Sequence, residues 1–96
     1  MIGIVATLKV KDGMQDTFES AMQAFVKEVR EKEPGTVFYS LTRKQGSTTE
    51  YVMMEQYKST ADVDAHNTSA HFNALLPKIG PCLDGAPALV TVDILG

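Results

Sequence analysis

The feature that most constrains the fold of this chain is a repeated change in the spacing of its apolar residues. Over some segments they alternate with polar residues, as in a strand with one buried face, and over others they recur at threes and fours, as in a helix. The strand-like segments are residues 2–10, 36–44, 50–57 and 88–95. The helix-like segments begin at Met14 and Ser59 and are ended by Pro34-Gly35 and Gly80-Pro81.

The order strand, helix, strand, strand, helix, strand predicts an α+β fold of the ferredoxin-like, split βαβ type. In this fold the helices cover one face of a four-stranded antiparallel sheet. The chain is long enough for one domain, residues 1–96. Both faces of the predicted sheet carry large side chains, although the helices cover only one. We therefore expect a homodimer, a dimeric α/β barrel formed through the uncovered sheet faces, with a cavity between each sheet and its helices.

Charge and composition exclude several classes of partner. The formal net charge is -3 and the basic residues are scattered, so no nucleic acid is expected to bind. The longest apolar runs are far too short to span a bilayer, and no secretory signal is recognisable at the N-terminus. The single cysteine, Cys82, cannot form an internal disulfide. Together these features predict a cytoplasmic protein without membrane contact.

The two histidines are the first candidates for acid–base chemistry. His66 and His71 are five residues apart, which on one continuous helix separates them by about 140°. Helical metal pairs are spaced by roughly three or four residues, so no metal site is expected. A helix break at Thr68-Ser69 would still let both histidines point towards one cavity. Each histidine also has a purely structural interpretation, as a residue at a helix end.

Glu55 lies between Met53 and Tyr57 on one face of a predicted strand. A carboxylate on a buried face needs a partner, and Arg43 on the neighbouring strand is an available one. Glu55 is therefore either a structural ion-pair residue or a base for a phenolic proton. The five methionines and three tyrosines fall mostly at core spacing, where they act as core filler or line a cavity for flat aromatic ligands.

Three motifs, in this order along the chain, resemble those of the antibiotic biosynthesis monooxygenase family. Residues 33–41 (EPGTVFYSL) are similar to its E-P-G-x-x-x-Y-x-L motif at the start of the second strand. Residues 55–59 (EQYKS) are similar to E-x-W-x-S at a strand end, and residues 65–72 (AHNTSAHF) to A-H-x-x-S-x-H-F in the following helix. Because the flanking elements fit too, the resemblance covers nearly the whole chain.

The resemblance implies a ferredoxin-like homodimer. Its characterised members include monooxygenases that oxidise quinols or polycyclic aromatic phenols with dioxygen and without a bound metal or flavin. Two departures separate this chain from the haem-degrading branch of the family. Tyr57 stands where relatives often have Trp, and Thr7 stands near the first-strand position of an Asn. The family also includes an isomerase of a phosphorylated sugar, so membership alone does not fix the reaction.

The resulting hypothesis is a cofactor-independent monooxygenase that acts on a small quinol or phenolic aromatic molecule and dioxygen. His66 is the expected proton acceptor and His71 the second candidate, while Arg43 or Glu55 would orient a phenolate or carbonyl. The expected cavity wall consists of Tyr39, Met53, Tyr57 and Phe72. Two alternatives stay open: a non-catalytic module that binds a small aromatic molecule, and an isomerase in which His66 and Glu55 form an acid–base pair.

Overall fold

The computed structural model describes the whole chain, Met1–Gly96, as four strands and three helices. The strands are β1 (Ile2–Lys9), β2 (Thr36–Arg43), β3 (Glu50–Tyr57) and β4 (Ala88–Asp93). The helices are α1 (Gln15–Lys32), α2 (Thr60–Asn67) and α3 (Ala70–Ile79), followed by a 3₁₀ turn, Gly80–Cys82. All strand pairs are antiparallel and the sheet order is β2-β3-β1-β4. The predicted ferredoxin-like α+β fold is confirmed. None of the helices combines the length and the hydropathy needed to cross a bilayer.

The core lies between the helices and one face of the sheet. Along β1 and β3 the buried residues alternate with more exposed ones, as the period-two pattern predicts. The apolar stripe of α1 packs against that face, and its buried members are Phe18, Met22, Phe25, Val26 and Val29. This packing places the third strand's Tyr51, Met53, Glu55 and Tyr57 on the helix-covered side.

The helix break that Thr68-Ser69 makes possible is present. α2 ends at Asn67 and α3 starts at Ala70, and each has a serine N-cap. The Ser59 hydroxyl accepts a hydrogen bond from the Asp62 N–H, and the Ser69 hydroxyl accepts one from the Phe72 N–H. Because the two caps are independent, the two helices can turn their histidines in different directions.

A β-bulge was not foreseen. The pairing of β2 with β3 shifts between Thr36 and Phe38, so that Thr36 faces Tyr57 and Phe38 faces Gln56. The extra residue, Val37, is 48% exposed. Strict alternation would place it beside Tyr39 on the buried face, but a bulge adds one residue to a strand and resets its alternation. The reset brings Tyr39 opposite Glu55.

The sheet face opposite the helices is uncovered and largely apolar in its middle. Val5 of β1 is paired with Met54 of β3 on one side and with Val90 of β4 on the other. Phe38 and Val92 extend the patch, and all five side chains count among the exposed large apolar residues. We call these five residues the open-face patch.

Gly35 connects α1 to β2 and fixes how closely α2 approaches them. A side chain at Gly35 would place its Cβ 1.9 Å from Oδ1 and 2.8 Å from Cβ of Asp62 in the first turn of α2. Its carbonyl also accepts a hydrogen bond from the Lys58 N–H at 2.9 Å. Only glycine leaves room for Asp62 to approach this closely, and the position of α2 therefore depends on the glycine at residue 35.

We expect Gly35→Ala to lower the free energy of unfolding by about 1–3 kcal/mol, because Asp62 and the start of α2 must move away. Gly80→Ala is the matched control, since a Cβ there meets no atom within 4 Å. Urea denaturation monitored by circular dichroism measures both. Equal stability of the two variants would contradict the close-contact argument.

Candidate active site

A cavity lies between the helix-covered face of the sheet and helices α2 and α3. It has a volume of about 220 Å³. That is below the roughly 300–1,000 Å³ typical of pockets for drug-sized ligands, so it suits a small molecule. Its wall is mostly apolar, with Ala6, Leu8, Met22, Met53, Phe72, Leu75, Leu76, Ile79, Leu83 and Leu89. The polar side chains that reach it are Tyr39, Glu55, His66 and Asn67.

His66 is the most deeply buried ionisable side chain of the cavity wall, with 3% of its surface exposed. It lies in an aromatic cage whose ring centroids are 5.2 Å (Tyr39 and Phe72), 5.5 Å (Tyr57) and 5.8 Å (Phe25) from its own. The rings come from the sheet, from α1 and from α3. They hold the imidazole plane in place and keep bulk water away from it.

The Glu33 carboxylate anchors His66 from behind. Nδ1 of His66 is 3.0 Å from both Glu33 oxygens. The Thr36 hydroxyl donates to Oε1 at 2.7 Å, and Nε2 of His71 forms a hydrogen bond with Oε2. Burial raises the pKa of the Glu33 carboxyl, but the hydrogen bonds from Thr36, His71 and His66 outweigh it and hold the pKa below its usual 4.5. Glu33 is therefore an anion at neutral pH, and the Nδ1 atom of His66 carries the proton that faces it.

The other ring nitrogen of His66 faces the cavity. Every fully buried side-chain nitrogen or oxygen in the structure has a hydrogen-bond partner. Nε2 of His66 has no hydrogen-bond partner, so this atom is not fully buried. The open space that His66 lines is the cavity, and Nε2 is therefore accessible from there. Burial lowers the pKa of His66 below its ordinary value, against the opposing effect of Glu33. At neutral pH His66 thus presents an unprotonated nitrogen to the cavity, which is the form of a general base.

Two oxygen atoms share the cavity with this nitrogen. The Tyr57 hydroxyl donates to Oε1 of Glu55 at 2.5 Å, and Oε2 of Glu55 has no partner. Burial raises the pKa of Glu55, and the negative charge of Glu33 raises it further. The hydrogen bond from Tyr57 lowers this pKa but does not outweigh them. Tyr39 also has a free hydroxyl, and burial raises its pKa above the ordinary value, so it stays protonated. By the same argument as for His66, both free oxygens are accessible from the cavity.

Comparison with known proteins identifies the family. The sequence profile described as "Antibiotic biosynthesis monooxygenase" matches residues 1–78. The chain belongs to the antibiotic biosynthesis monooxygenase family. A Bacillus subtilis protein named "Putative monooxygenase YcnE" is 36% identical over 78 residues, which are 81% of each chain.

Solved structures of antibiotic biosynthesis monooxygenases have the same fold. A Caulobacter crescentus protein described by that family name, also as putative, superposes with a TM-score of 0.95 at 33% identity, over 99% of this chain and 90% of that one. A Nitrosomonas europaea protein with the same description superposes over 100% of both chains, with a TM-score of 0.93. Its identity is 22%, so this second likeness concerns the fold alone.

The structure brings together most of the residues that the sequence nominated. His66, Tyr39, Met53, Glu55 and Phe72 line the cavity of this family member. Tyr57 lies one layer behind, where it holds Glu55. His71 lies behind Glu33 and lines a separate groove on the outer surface.

Arg43 does not join this group. It is paired with Tyr51, whereas Glu55 is paired with Tyr39, four residues away along β2. Four residues of a strand span about 13 Å, so the expected Arg43–Glu55 ion pair does not form. Arg43 instead approaches Glu19 of α1 at 3.8 Å, and Tyr51 donates to the same carboxylate.

Glu33 belongs to the candidate site, although the sequence analysis names it only as the first residue of a motif and assigns it no role. A signal was present, because Glu33 is the C-cap of α1. An acidic group at the C-terminal end of a helix opposes the helix dipole, so its presence there points to another partner. Asn67 and Leu89, which also line the cavity, carried no such signal.

We expect the contribution of His66 to stability to fall as the pH is lowered below about 6.5, while the raised pKa of Glu55 acts in the opposite direction and is common to all the variants compared. The pKa of His66 is lower in the folded state than its ordinary 6.5, so the unfolded chain binds more protons in this range. Stability is then present above that value and is lost towards acid pH, by up to about 1.4 kcal/mol per pH unit. Urea titrations between about pH 7 and pH 5 measure the slope.

In His66→Gln this slope should be shallower than in the wild type. Lys27→Gln, an exposed substitution on α1, is the control and should keep the wild-type slope. Identical slopes in all three proteins would show that His66 is not the buried neutral imidazole described here.

Proposed function

We propose that the protein is a monooxygenase that oxidises a small quinol or phenol with dioxygen and needs no bound metal or flavin. The observation that supports this most is the orientation of His66. Its Nδ1 is held by the Glu33 anion, and its free Nε2 faces a mostly apolar cavity. A base held in one tautomer beside a small, mostly apolar cavity is suited to deprotonation of a phenol.

In the first step the phenolic O–H donates its proton to Nε2 of His66. Glu33 stabilises the imidazolium that forms, because its negative charge already lies 3.0 Å from Nδ1. The phenolate is a far better electron donor than the phenol. In the low-dielectric cavity its charge is stabilised by the Tyr39 hydroxyl rather than by water. The free oxygen of Glu55 can accept the second hydroxyl of a quinol and so orient the ring.

The overall reaction balances without an external reductant. A hydroquinone and dioxygen give a hydroxyquinone and water, and the substrate supplies all the electrons that reduce both oxygen atoms. One oxygen atom forms the new C–O bond and the other leaves as water. The proton held on His66 returns to the oxygen that leaves. The protein then contributes a base, a hydrogen-bond donor and exclusion of water.

The proposal includes two copies of the chain paired through their sheets. Its support is the open-face patch, in which Met54, Val5 and Val90 lie next to one another on three adjacent strands of a sheet face that no helix covers. Apolar patches of this kind are rare on monomers and common at dimer interfaces. We place the protein in the cytoplasm, where the buried thiol of Cys82 suits a reducing environment.

An isomerase is the second candidate. It is favoured by one observation, that Glu55 and His66 reach the same cavity while burial raises the pKa of the first and lowers that of the second. Such a pair supplies an acid and a base side by side. An isomerase would act on a small oxygenated metabolite and would not consume dioxygen.

The decisive experiment is oxygen uptake by metal-stripped protein with a panel of hydroquinones and anthrone-like phenols. We expect uptake above the protein-free rate, and a loss of about 10²–10⁴-fold in His66→Ala, because general-base catalysis is removed. Lys27→Gln is the control and should match the wild type.

Uptake that never exceeds the protein-free rate, or that appears only with added flavin, haem or metal, would contradict the proposal. Product that forms under nitrogen would favour the isomerase. Stoichiometric binding of an aromatic ligand without turnover would instead indicate the non-catalytic module.

Pairing through the sheets is tested by light scattering after size exclusion. We expect a mass of about twice the 10.5 kDa of one chain. Phe38→Glu should shift the protein towards the monomer, because it places a charge in the open-face patch. Ala24→Glu adds the same charge to the exposed side of α1 and should leave the dimer intact. A wild-type monomer, or a dimer in both variants, would contradict this pairing.

A further inference from the structure

One carboxylate serves two histidines that face different spaces. Nδ1 of His66 and Nε2 of His71 both bind Glu33. His66 lines the inner cavity, whereas His71 lines an outer groove together with Lys32 and Pro34. Nδ1 of His71 has no hydrogen-bond partner, so this atom is not fully buried, and it is accessible from that groove. A continuous row of hydrogen-bonded groups thus joins the cavity to the surface.

The charges in this row limit how many protons it can hold. Glu33 supplies one negative charge, which fully stabilises only one histidinium. A second histidinium would face the first across the same carboxylate, where little water screens the repulsion. Two imidazoles in such an arrangement do not titrate independently.

The other ionisable groups nearby do not supply a second counter-charge for His66. The sheet presents Tyr39, Tyr57 and Glu55 to it, and Glu55 is already bound by Tyr57. On the side of His71, α1 presents Glu28, whose carboxylate is bound by Lys32 and also interacts with the charges of His71 and Lys78. α2 presents Asp62 to the same groove, where its carboxylate accepts a hydrogen bond from the Ser59 hydroxyl. Glu33 is therefore the only carboxylate that contacts either imidazole.

We propose that His71 is a positioning residue that acts through Glu33. His66 in the cavity and His71 beside the outer groove compete for the same carboxylate, so that a proton taken up by His71 from the groove keeps His66 in its neutral form. The catalytic consequence rests on the proposed function, in which neutral His66 is the base: His71 then protects that base against mild acid.

A merely structural His71 makes a different prediction. It would hold the Glu33 side chain in place, and any hydrogen-bond donor of similar length would replace it without changing the protonation of His66. The substitution His71→Gln separates the two roles, because an amide can still donate to Glu33 but cannot take up a proton.

The test is ¹H–¹⁵N NMR titration of the imidazoles, which are only two in this chain. We expect His71→Gln to raise the pKa of His66 by about one unit, a tenfold change, because the competing positive charge is gone. Lys78→Gln is the matched control. It removes a positive charge from the same helix without contact to Glu33, and it should leave the His66 titration unchanged.

The wild type provides a second measurement that needs no variant. Competition for one carboxylate predicts that the ¹⁵N shifts of His66 follow a broadened or two-step curve instead of a single-site curve. A single-site curve for His66, or the same midpoint in His71→Gln as in the wild type, would overturn the proposal.

Neither NMR measurement depends on turnover. If the competition is observed but no oxygen is consumed, this inference stands and the proposed function is wrong. If turnover is present, the acid limb of kcat/KM in His71→Gln moves to higher pH together with the His66 titration. An acid limb that stays in place while the His66 titration moves would show that His66 is not the catalytic base.

Discussion

The buried carboxylate of Glu33 is the interaction on which the rest of the site depends. A carboxylate removed from water is costly unless several donors replace its hydration. Here the donors come from three elements, namely Thr36 at the start of β2, His66 on α2 and His71 on α3. The charge is therefore satisfied only when all three elements are in place. These hydrogen bonds also hold β2, α2 and α3 in fixed positions around the Glu33 carboxylate at the end of α1.

The surroundings of His66 also fix both its tautomer and its charge. His66 has a polar partner on one side only. Behind it is the Glu33 anion, and around it are the rings of Phe25, Tyr39 and Phe72. The anion selects the tautomer while the rings disfavour the charged form. The two effects oppose each other in the pKa of His66, where burial prevails, but the choice of tautomer depends on Glu33 alone.

Much of this could be predicted from the sequence, and the reason is periodicity. The alternation in β3 places Met53, Glu55 and Tyr57 on the buried face, and the serine before α3 predicts the helix break. The bulge at Val37 could not be predicted, since one extra residue leaves no trace in composition. The position of Arg43 depends on strand register, which local pattern does not fix. Glu33 binds partners on other elements, and no short window of sequence contains them.

The spacing of the Glu33 contacts along the chain has a consequence for folding. His66 lies 33 residues from Glu33, and His71 lies 38 residues away. Closing loops of this length costs conformational entropy that no local contact repays. Isolated helices or hairpins of this protein thus contain every residue of the site but not the site itself. The cluster of Glu33 and the two histidines therefore exists only when these long-range contacts have formed, so its assembly is coupled to the folding of the chain.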